Sequence, residues 1–275
     1  MRARDEPEGG NGTPDILIQI WENWRSGGGK GTCDGCPAHW NHRTDLREQP
    51  GERTSSYGFA PYYGLGDFDA EVVVLGREPG PHTQKEKDLT ELTFSERHQP
   101  NVRKVAKSSH GTIQSLKPLF ETLVESAIPT YWTQLRKCNQ FPNDADKDED
   151  AIRDRCCGLN PSYPGYLQQE LDAIAPDYVI PLGKVPSNKL LKLFDVPIPY
   201  SNFSKFTLSG NDNSGFNPIT HQNLPFTVIP IAHPSQGYNW IKSRLESVTT
   251  LDERGITKIE YYKAVAEDLL RYKTC

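Results

Sequence analysis

The sequence predicts an α/β protein of three layers, in which helices cover both faces of a central, mostly parallel sheet of four strands. Two observations predict this fold class. Four short apolar runs are each bounded by turn residues, a pattern typical of strands that are buried on both faces. Helical patterns separate these runs, and strands that alternate with helices form right-handed βαβ units. The 275 residues suffice for one large domain, which we expect at 14–275 after a disordered terminus at 1–13.

The four predicted strands follow from continuous apolar runs bounded by turn residues. They lie at 71–75, 131–135, 178–182 and 226–231. Pro181 and Pro230 lie inside the last two runs, where proline removes a hydrogen bond of the ladder. These two runs therefore depart from the usual composition of a central strand.

Helical periodicity occupies the segments between the strands and after them. The predicted helices are at 113–127, 166–175, 185–194, 240–247 and 258–272. A further helix begins near Pro14, because proline is favoured in a first helical turn and apolar residues then recur from Ile16 to Trp24. It ends at the glycines 27–29. These helices supply the outer layers of the predicted fold.

Composition and charge exclude several classes of protein. The mean hydropathy of -0.66 leaves no candidate for a membrane-spanning helix. The first eleven residues are polar and charged, without the apolar centre of a secretory signal, so we expect a cytoplasmic protein. A formal net charge of -5 argues against a surface that is basic throughout, but nucleic-acid binding needs only a local basic groove. One stretch supplies such a patch with Arg97, His98, Arg103, Lys104, Lys107 and His110.

Four cysteine positions have the arrangement of a metal site. Cys33 and Cys36 form a C-x2-C pair in a loop rich in glycine and proline, and Cys138 follows the second predicted strand. The fourth position is Cys157 or Cys156, since adjacent cysteines do not easily bind one centre together. In a reducing compartment such spacing favours metal ligands over disulfides. Four thiolates suit either tetrahedral zinc or an iron-sulfur cluster, and the spacing alone leaves both open, beside unrelated buried cysteines.

Three loops that follow predicted strands carry the candidate site. In open α/β sheets a ligand lies outside the carboxyl ends of the strands, where such loops converge. The first loop lets backbone approach a ligand closely, the second strand ends at Gln134, and the last loop begins at His233. The residues of the first loop are Gly76, Arg77, Glu78, Pro79 and Gly80. A plain turn with solvated side chains is the alternative for this loop.

His233 is the candidate for acid-base chemistry. It follows an apolar strand and precedes Pro234, which keeps the backbone extended and fixes the ring at the strand end. A histidine there can donate a hydrogen bond to charge that develops on a leaving group. A lone histidine is often only structural, but its position beside the other two loops favours a functional role.

These motifs together resemble the uracil-DNA glycosylase superfamily, most closely its iron-sulfur family 4 enzymes. The resemblance runs from about Cys33 to about Trp240. Its segments are 33–36, 72–80, 133–138, 171–176, 181–183 and 233–235. It implies a four-stranded parallel sheet, a structural [4Fe-4S] cluster on Cys33, Cys36, Cys138 and Cys157 (or Cys156), and hydrolysis of the N-glycosidic bond of a flipped-out base.

The chain departs from the family pattern at the residues that contact the base. Arg77 stands where the family has an acid, and Glu78 lies one position later. Gln134 replaces an asparagine that reads the edge of uracil, and 109–111 lacks the expected stacking aromatic. These departures predict a larger, more polar pocket. Such a pocket favours a modified pyrimidine, for example a hydroxymethylated or glucosylated phage base. The resemblance is then to glycosylases of phage defence, with Arg77, His110 and Gln134 as hydrogen-bonding partners of the base.

The resemblance also implies roles for the remaining residues. Glu78, or failing it Asp88 or Glu86, orients water or the sugar cation, and His233 stabilises the leaving base. No lysine lies where an imine-forming nucleophile is expected, so the predicted enzyme is monofunctional. The predicted substrate-binding residues are Gly76, Arg77, Pro79, Gly80, His110, Gln134 and Ser235. The predicted DNA-binding residues are Arg97, Arg103, Lys104 and Lys107.

Three alternatives remain at the level of sequence. One is a uracil-DNA glycosylase of base-excision repair. Another is an inert DNA-binding member of the superfamily, which Arg77 in the acid's position favours. The third is a nucleotide-binding protein held together by zinc, without a DNA partner. In each DNA-acting case we expect a monomer.

Overall fold

A computed structural model of the chain describes residues 64–77, 115–137, 165–208, 216–234 and 258–274, with Asp15, Leu17, Ile18 and Glu22. These last four are helical and Leu17 is buried, which agrees with the helix predicted after Pro14. The predicted disordered terminus, the helix at 240–247, the basic patch and the cysteine set lie outside the described residues. Within the described part, no helix is long and apolar enough to cross a membrane.

The sheet contains the four predicted strands, all parallel, and one further strand at its edge. The strands are β1 (Leu65–Gly66), β2 (Val72–Gly76), β3 (Thr130–Gln134), β4 (Tyr178–Pro181) and β5 (Thr227–Val228). Their order across the sheet is β1-β3-β2-β4-β5, and β1 pairs antiparallel with β3. The prediction of a mostly parallel sheet is confirmed. Two residues are too few to show a periodic pattern, which is why β1 was not predicted.

The strand β5 is shorter than predicted, although its pairing with β4 continues beyond it. Pro230 has no N–H group, which interrupts the regular ladder. The N–H groups of Ile229 and Ile231 still donate to the carbonyls of Val179 and Pro181, at 2.8 and 3.2 Å. The chain therefore stays beside β4 until Ile231 and leaves the sheet at Ala232.

Five helices are described in full. They are α1 (Lys117–Glu125), α2 (Tyr166–Ile174), α3 (Lys184–Leu193), α4 (Phe203–Leu208) and α5 (Lys258–Thr274). Four were predicted, and α1 begins four residues later than expected, with a proline in its first turn. The short α4 was not predicted, since six residues span fewer than two turns and carry little periodicity.

Helices cover both faces of the sheet and complete the three predicted layers. Because successive side chains of a strand point to opposite faces, Val72 and Val74 belong to one core and Val73 and Leu75 to the other. The first core contains the apolar residues of α1 and α5, and the second contains those of α2 and α3. All four of these β2 side chains are fully buried, which explains the continuous apolar run.

The topology places a crevice between the carboxyl ends of β2 and β4. The helix that follows β2 lies on one face of the sheet, while the helix that follows the neighbouring β4 lies on the other. The connections that follow these two neighbouring strands therefore switch from one face of the sheet to the other. Such a switch point is where open α/β sheets bind their ligands.

Candidate active site

The loops after β2 and β3 leave the sheet side by side. Gly76 and Gln134 are register partners at the ends of these strands. Pairing continues beyond them, since the N–H of Leu135 donates to Gly76 O and the N–H of Arg136 donates to Arg77 O, each at 2.9 Å. The sheet itself thus places the first residues of two of the three predicted loops side by side.

Gln134 and Gly76 are in close contact. A Cβ built on Gly76 would lie only 2.1 Å from Gln134 Oε1, so the amide of Gln134 occupies the space that any other residue at 76 would need. The side chain of Gln134 is buried, and its Oε1 has no hydrogen-bond partner among the residues that the structure describes. A buried acceptor without a donor is costly, and bound ligands often satisfy such groups. This amide is therefore suited to receive an N–H donor.

His233 is fixed against a glycine on the other side of the crevice. Gly183 follows β4 and has a φ of +92°, which disfavours any other residue. A Cβ at this position would lie 2.8 Å from His233 Cβ. The N–H of Gly183 also donates to Ile231 O at 2.8 Å. Gly183 is not among the predicted site residues, although a glycine directly after a strand is a usable signal of close backbone approach.

Gln134 and His233 stand on opposite sides of the switch point. Since β2 and β4 lie between β3 and β5, β3 and β5 are separated by three strand spacings, or about 14 Å. A ligand that contacts both residues must lie across the ends of β2 and β4. Gly76, Gln134 and His233 therefore lie at or beyond the carboxyl ends of β2, β3 and β5, around the switch point.

The arrangement agrees with a comparison to known protein families. A sequence-family model described as the Uracil DNA glycosylase superfamily matches residues 63–252. The chain belongs to the uracil-DNA glycosylase superfamily. The match includes the four parallel strands together with Gly76, Gln134 and His233. Members of this superfamily are DNA glycosylases, which indicates DNA as the partner. No curated protein sequence matches the chain.

A buried ion pair supports the site from behind β3. Lys137 Nζ donates to Glu170 Oε2 and, at 2.8 Å, to Thr133 Oγ1. The hydroxyl of Tyr131 donates to Glu170 Oε1 at 2.8 Å and accepts from the N–H of Gly64 at 2.7 Å. Lys137 and Glu170 are at most 1 % exposed. This network attaches the segment that carries Gln134 to α2, and nothing in the sequence pattern predicts it.

The structure describes only some of the other predicted site residues. Arg77 is exposed at the end of β2, directly beyond Gly76. The remaining predicted substrate contacts, Glu78, Pro79, Gly80, His110 and Ser235, lie outside the described residues, as do Arg97, Arg103, Lys104 and Lys107. Cys33, Cys36, Cys138, Cys156 and Cys157 also lie outside them. Among the residues that are described, no group of three or more His, Cys, Asp or Glu side chains could hold a metal ion.

Proposed function

We propose that this superfamily member is a monofunctional DNA glycosylase that hydrolyses the N-glycosidic bond of a flipped-out modified pyrimidine. The observation that carries the proposal is the buried, unpartnered Oε1 of Gln134 beside Gly76. The family pattern has an asparagine at this position, and asparagine is one methylene shorter than glutamine. Because the amide of Gln134 extends further from the same strand end, a base other than uracil is favoured, such as a hydroxymethylated or glucosylated phage base.

A pyrimidine fits the hydrogen-bonding capacity of Gln134. Its base-pairing edge carries an N–H donor, either on the ring or on an exocyclic amine, beside a carbonyl or ring acceptor. The Oε1 of Gln134 accepts from that donor and the amide N–H₂ donates to the neighbouring acceptor. A flipped base has lost its own pairing partner, so these bonds replace those that flipping breaks. Arg77 and His110 are the proposed contacts of the polar modification.

The proposed reaction is a glycoside hydrolysis with an oxocarbenium-like transition state. His233 donates a hydrogen bond to the leaving base as negative charge develops on it. Its close packing on Gly183 supports this role, because a preorganised donor needs no rearrangement during the reaction. Glu78, or failing it Asp88 or Glu86, orients the attacking water. The products are a free base and an abasic site.

The proposal also assigns residues to DNA binding and to a metal cluster. Arg97, Arg103, Lys104 and Lys107 hold the phosphates while the nucleotide leaves the stack. Cys33, Cys36, Cys138 and Cys157 (or Cys156) hold a structural [4Fe-4S] cluster, with zinc as the alternative. The donor set suits a cluster, since four thiolates are its usual ligands. Iron, sulfide and zinc analysis of purified protein decides between the two, and absence of all three removes this part of the proposal.

The deciding experiment is release of free base from two kinds of DNA. One kind carries uracil, and the other is phage DNA with hydroxymethylated or glucosylated pyrimidines. We expect release from the modified DNA, and His233→Ala should abolish it, while His221→Ala, a histidine outside the crevice, should leave it unchanged. Release from uracil DNA alone would indicate base-excision repair instead.

A second candidate function is DNA recognition without catalysis. Arg77 favours this function, because this exposed, positively charged residue stands where the family pattern has an acid. In that case the wild type binds modified DNA but releases no base from either kind of DNA. Binding assays run beside the release assay separate the two functions.

A further inference from the structure

Two adjacent tyrosines of α5 bind the backbone of the residue that precedes His233. The N–H of Ala232 donates to the hydroxyl of Tyr261 at 3.2 Å. The hydroxyl of Tyr262 donates to the carbonyl of Ala232 at 2.9 Å. Both polar groups of one peptide residue are thus held by one helix. Neither tyrosine lies within residues 63–252, the part that matches the superfamily.

These hydrogen bonds lie in the protein interior. Tyr262 and Ala232 are fully buried and Tyr261 is 1 % exposed. The two tyrosine rings pack edge to face, with centroids 5.1 Å apart. Burial raises the pKa of both hydroxyls above the usual range of tyrosine, so both remain protonated. Water therefore does not compete for the backbone of Ala232, and the tyrosines determine where it lies.

Ala232 needs these partners because the sheet ends immediately before it. The last backbone bonds to the neighbouring strand and loop are made by Ile231, whose N–H donates to Pro181 O and whose carbonyl accepts from Gly183. The hydroxyls of α5 then continue the hydrogen bonding for one more residue. His233 follows directly, with Gly183 against its Cβ. Its backbone is consequently held from the sheet side and from the helix side.

We propose that Tyr261 and Tyr262 are positioning residues for His233 in base release. The inference depends on the proposed function, since it assigns these tyrosines a purpose only if His233 acts on the leaving base. They do not touch the crevice themselves and act through Ala232. The surrounding core holds α5 firmly, because Val265, Ala266 and Leu269 are also fully buried against α1 and the sheet.

The test compares three variants in single-turnover base release and steady-state kinetics. Tyr262→Phe leaves the carbonyl of Ala232 without its donor, and Tyr261→Phe leaves the N–H without its acceptor. Because small displacements of a catalytic group are costly, we expect kcat to fall about ten- to hundredfold in Tyr262→Phe, with KM within about twofold of wild type. Val265→Ala is the control, since it removes buried packing from the same helix and keeps both hydroxyls.

A second measurement does not depend on activity. Amide hydrogen exchange at Ala232 should accelerate in Tyr261→Phe, and should change little in Val265→Ala below its melting temperature. Unchanged exchange and unchanged kcat, with only a lower Tm like that of Val265→Ala, would overturn the positioning role. If the wild type releases no base from any DNA, the proposed function fails and the positioning role fails with it. If the wild type is active and the tyrosine variants match it, the positioning role alone fails.

Discussion

The amide of Gln134 fills the space beside Gly76, so that a Cβ on residue 76 would come within 2.1 Å of Gln134 Oε1. The two residues are register partners at the ends of neighbouring parallel strands. A side chain at residue 76 would therefore displace the amide of Gln134.

Gly76→Ala should displace the side chain of Gln134. The nearest atoms to the added methyl are all in the Gln134 amide, so the backbone can stay in place while the amide rotates away. We expect base release to fall at least tenfold with little change in Tm. A double-mutant cycle with Gln134→Ala measures the coupling, which should exceed about 0.5 kcal/mol because the two residues touch. Additive effects would show that the amide is held elsewhere.

Gln134→Met should stabilise the free protein and abolish base release. The substitution keeps a similar volume and removes a buried acceptor that lacks a donor, which costs about 1–3 kcal/mol. We therefore expect the free energy of unfolding in urea to rise by about 1 kcal/mol. Gln134→Asn is the matched control, because it retains the amide and should keep base release with altered base preference. A loss of stability in Gln134→Met would mean that Oε1 already has a donor.

Lys137→Met should destabilise the fold strongly. Removing one partner of a buried ion pair leaves the Glu170 carboxylate uncompensated, which costs about 3–5 kcal/mol. Lys117→Met is the control, since Lys117 pairs with Glu121 at 3.4 Å on an exposed helix surface and such pairs contribute less than about 1 kcal/mol. Urea unfolding measures both. Equal losses in the two variants would contradict the structural importance of the buried pair.

Stability should fall above about pH 10, the ordinary pKa of tyrosine. Burial raises the pKa of Tyr261 and Tyr262 in the folded protein. Below pH 10 the hydroxyls are protonated in both states, but at higher pH the unfolded chain loses protons that the folded protein keeps. The free energy of unfolding therefore decreases by about 1.4 kcal/mol per pH unit for each such tyrosine.

The alkaline prediction is tested by urea unfolding between pH 9 and pH 11. Above about pH 10, the free energy of unfolding of Tyr262→Phe should decrease less steeply than that of the wild type, by about 1.4 kcal/mol per pH unit. Val265→Ala should lower stability at every pH without changing the slope. A slope identical in wild type and Tyr262→Phe would show that this hydroxyl does not titrate differently in the two states.

The sequence by itself determined the fold class and predicted the edge of the sheet at which the site is expected. Strands buried on both faces need continuous apolar runs, so the segments that became β2 and β3 were visible as such. Gly76, Gln134 and His233 were predicted as site residues because each directly follows or ends such a run, and parallel strands bring their carboxyl ends together. These inferences need only local patterns and one rule of topology.

Only the tertiary structure decided which distant residues meet. Glu170 on α2 pairs with Lys137 after β3, and Tyr261 and Tyr262 on α5 hold Ala232, about thirty residues earlier in the chain. In the sequence these side chains are one acid and two aromatics on helices with ordinary periodicity. Their partners are fixed by how helices pack on the sheet, a long-range relationship that local periodicity does not contain. The sequence thus predicted where the candidate site lies, and packing determined what holds its residues in place.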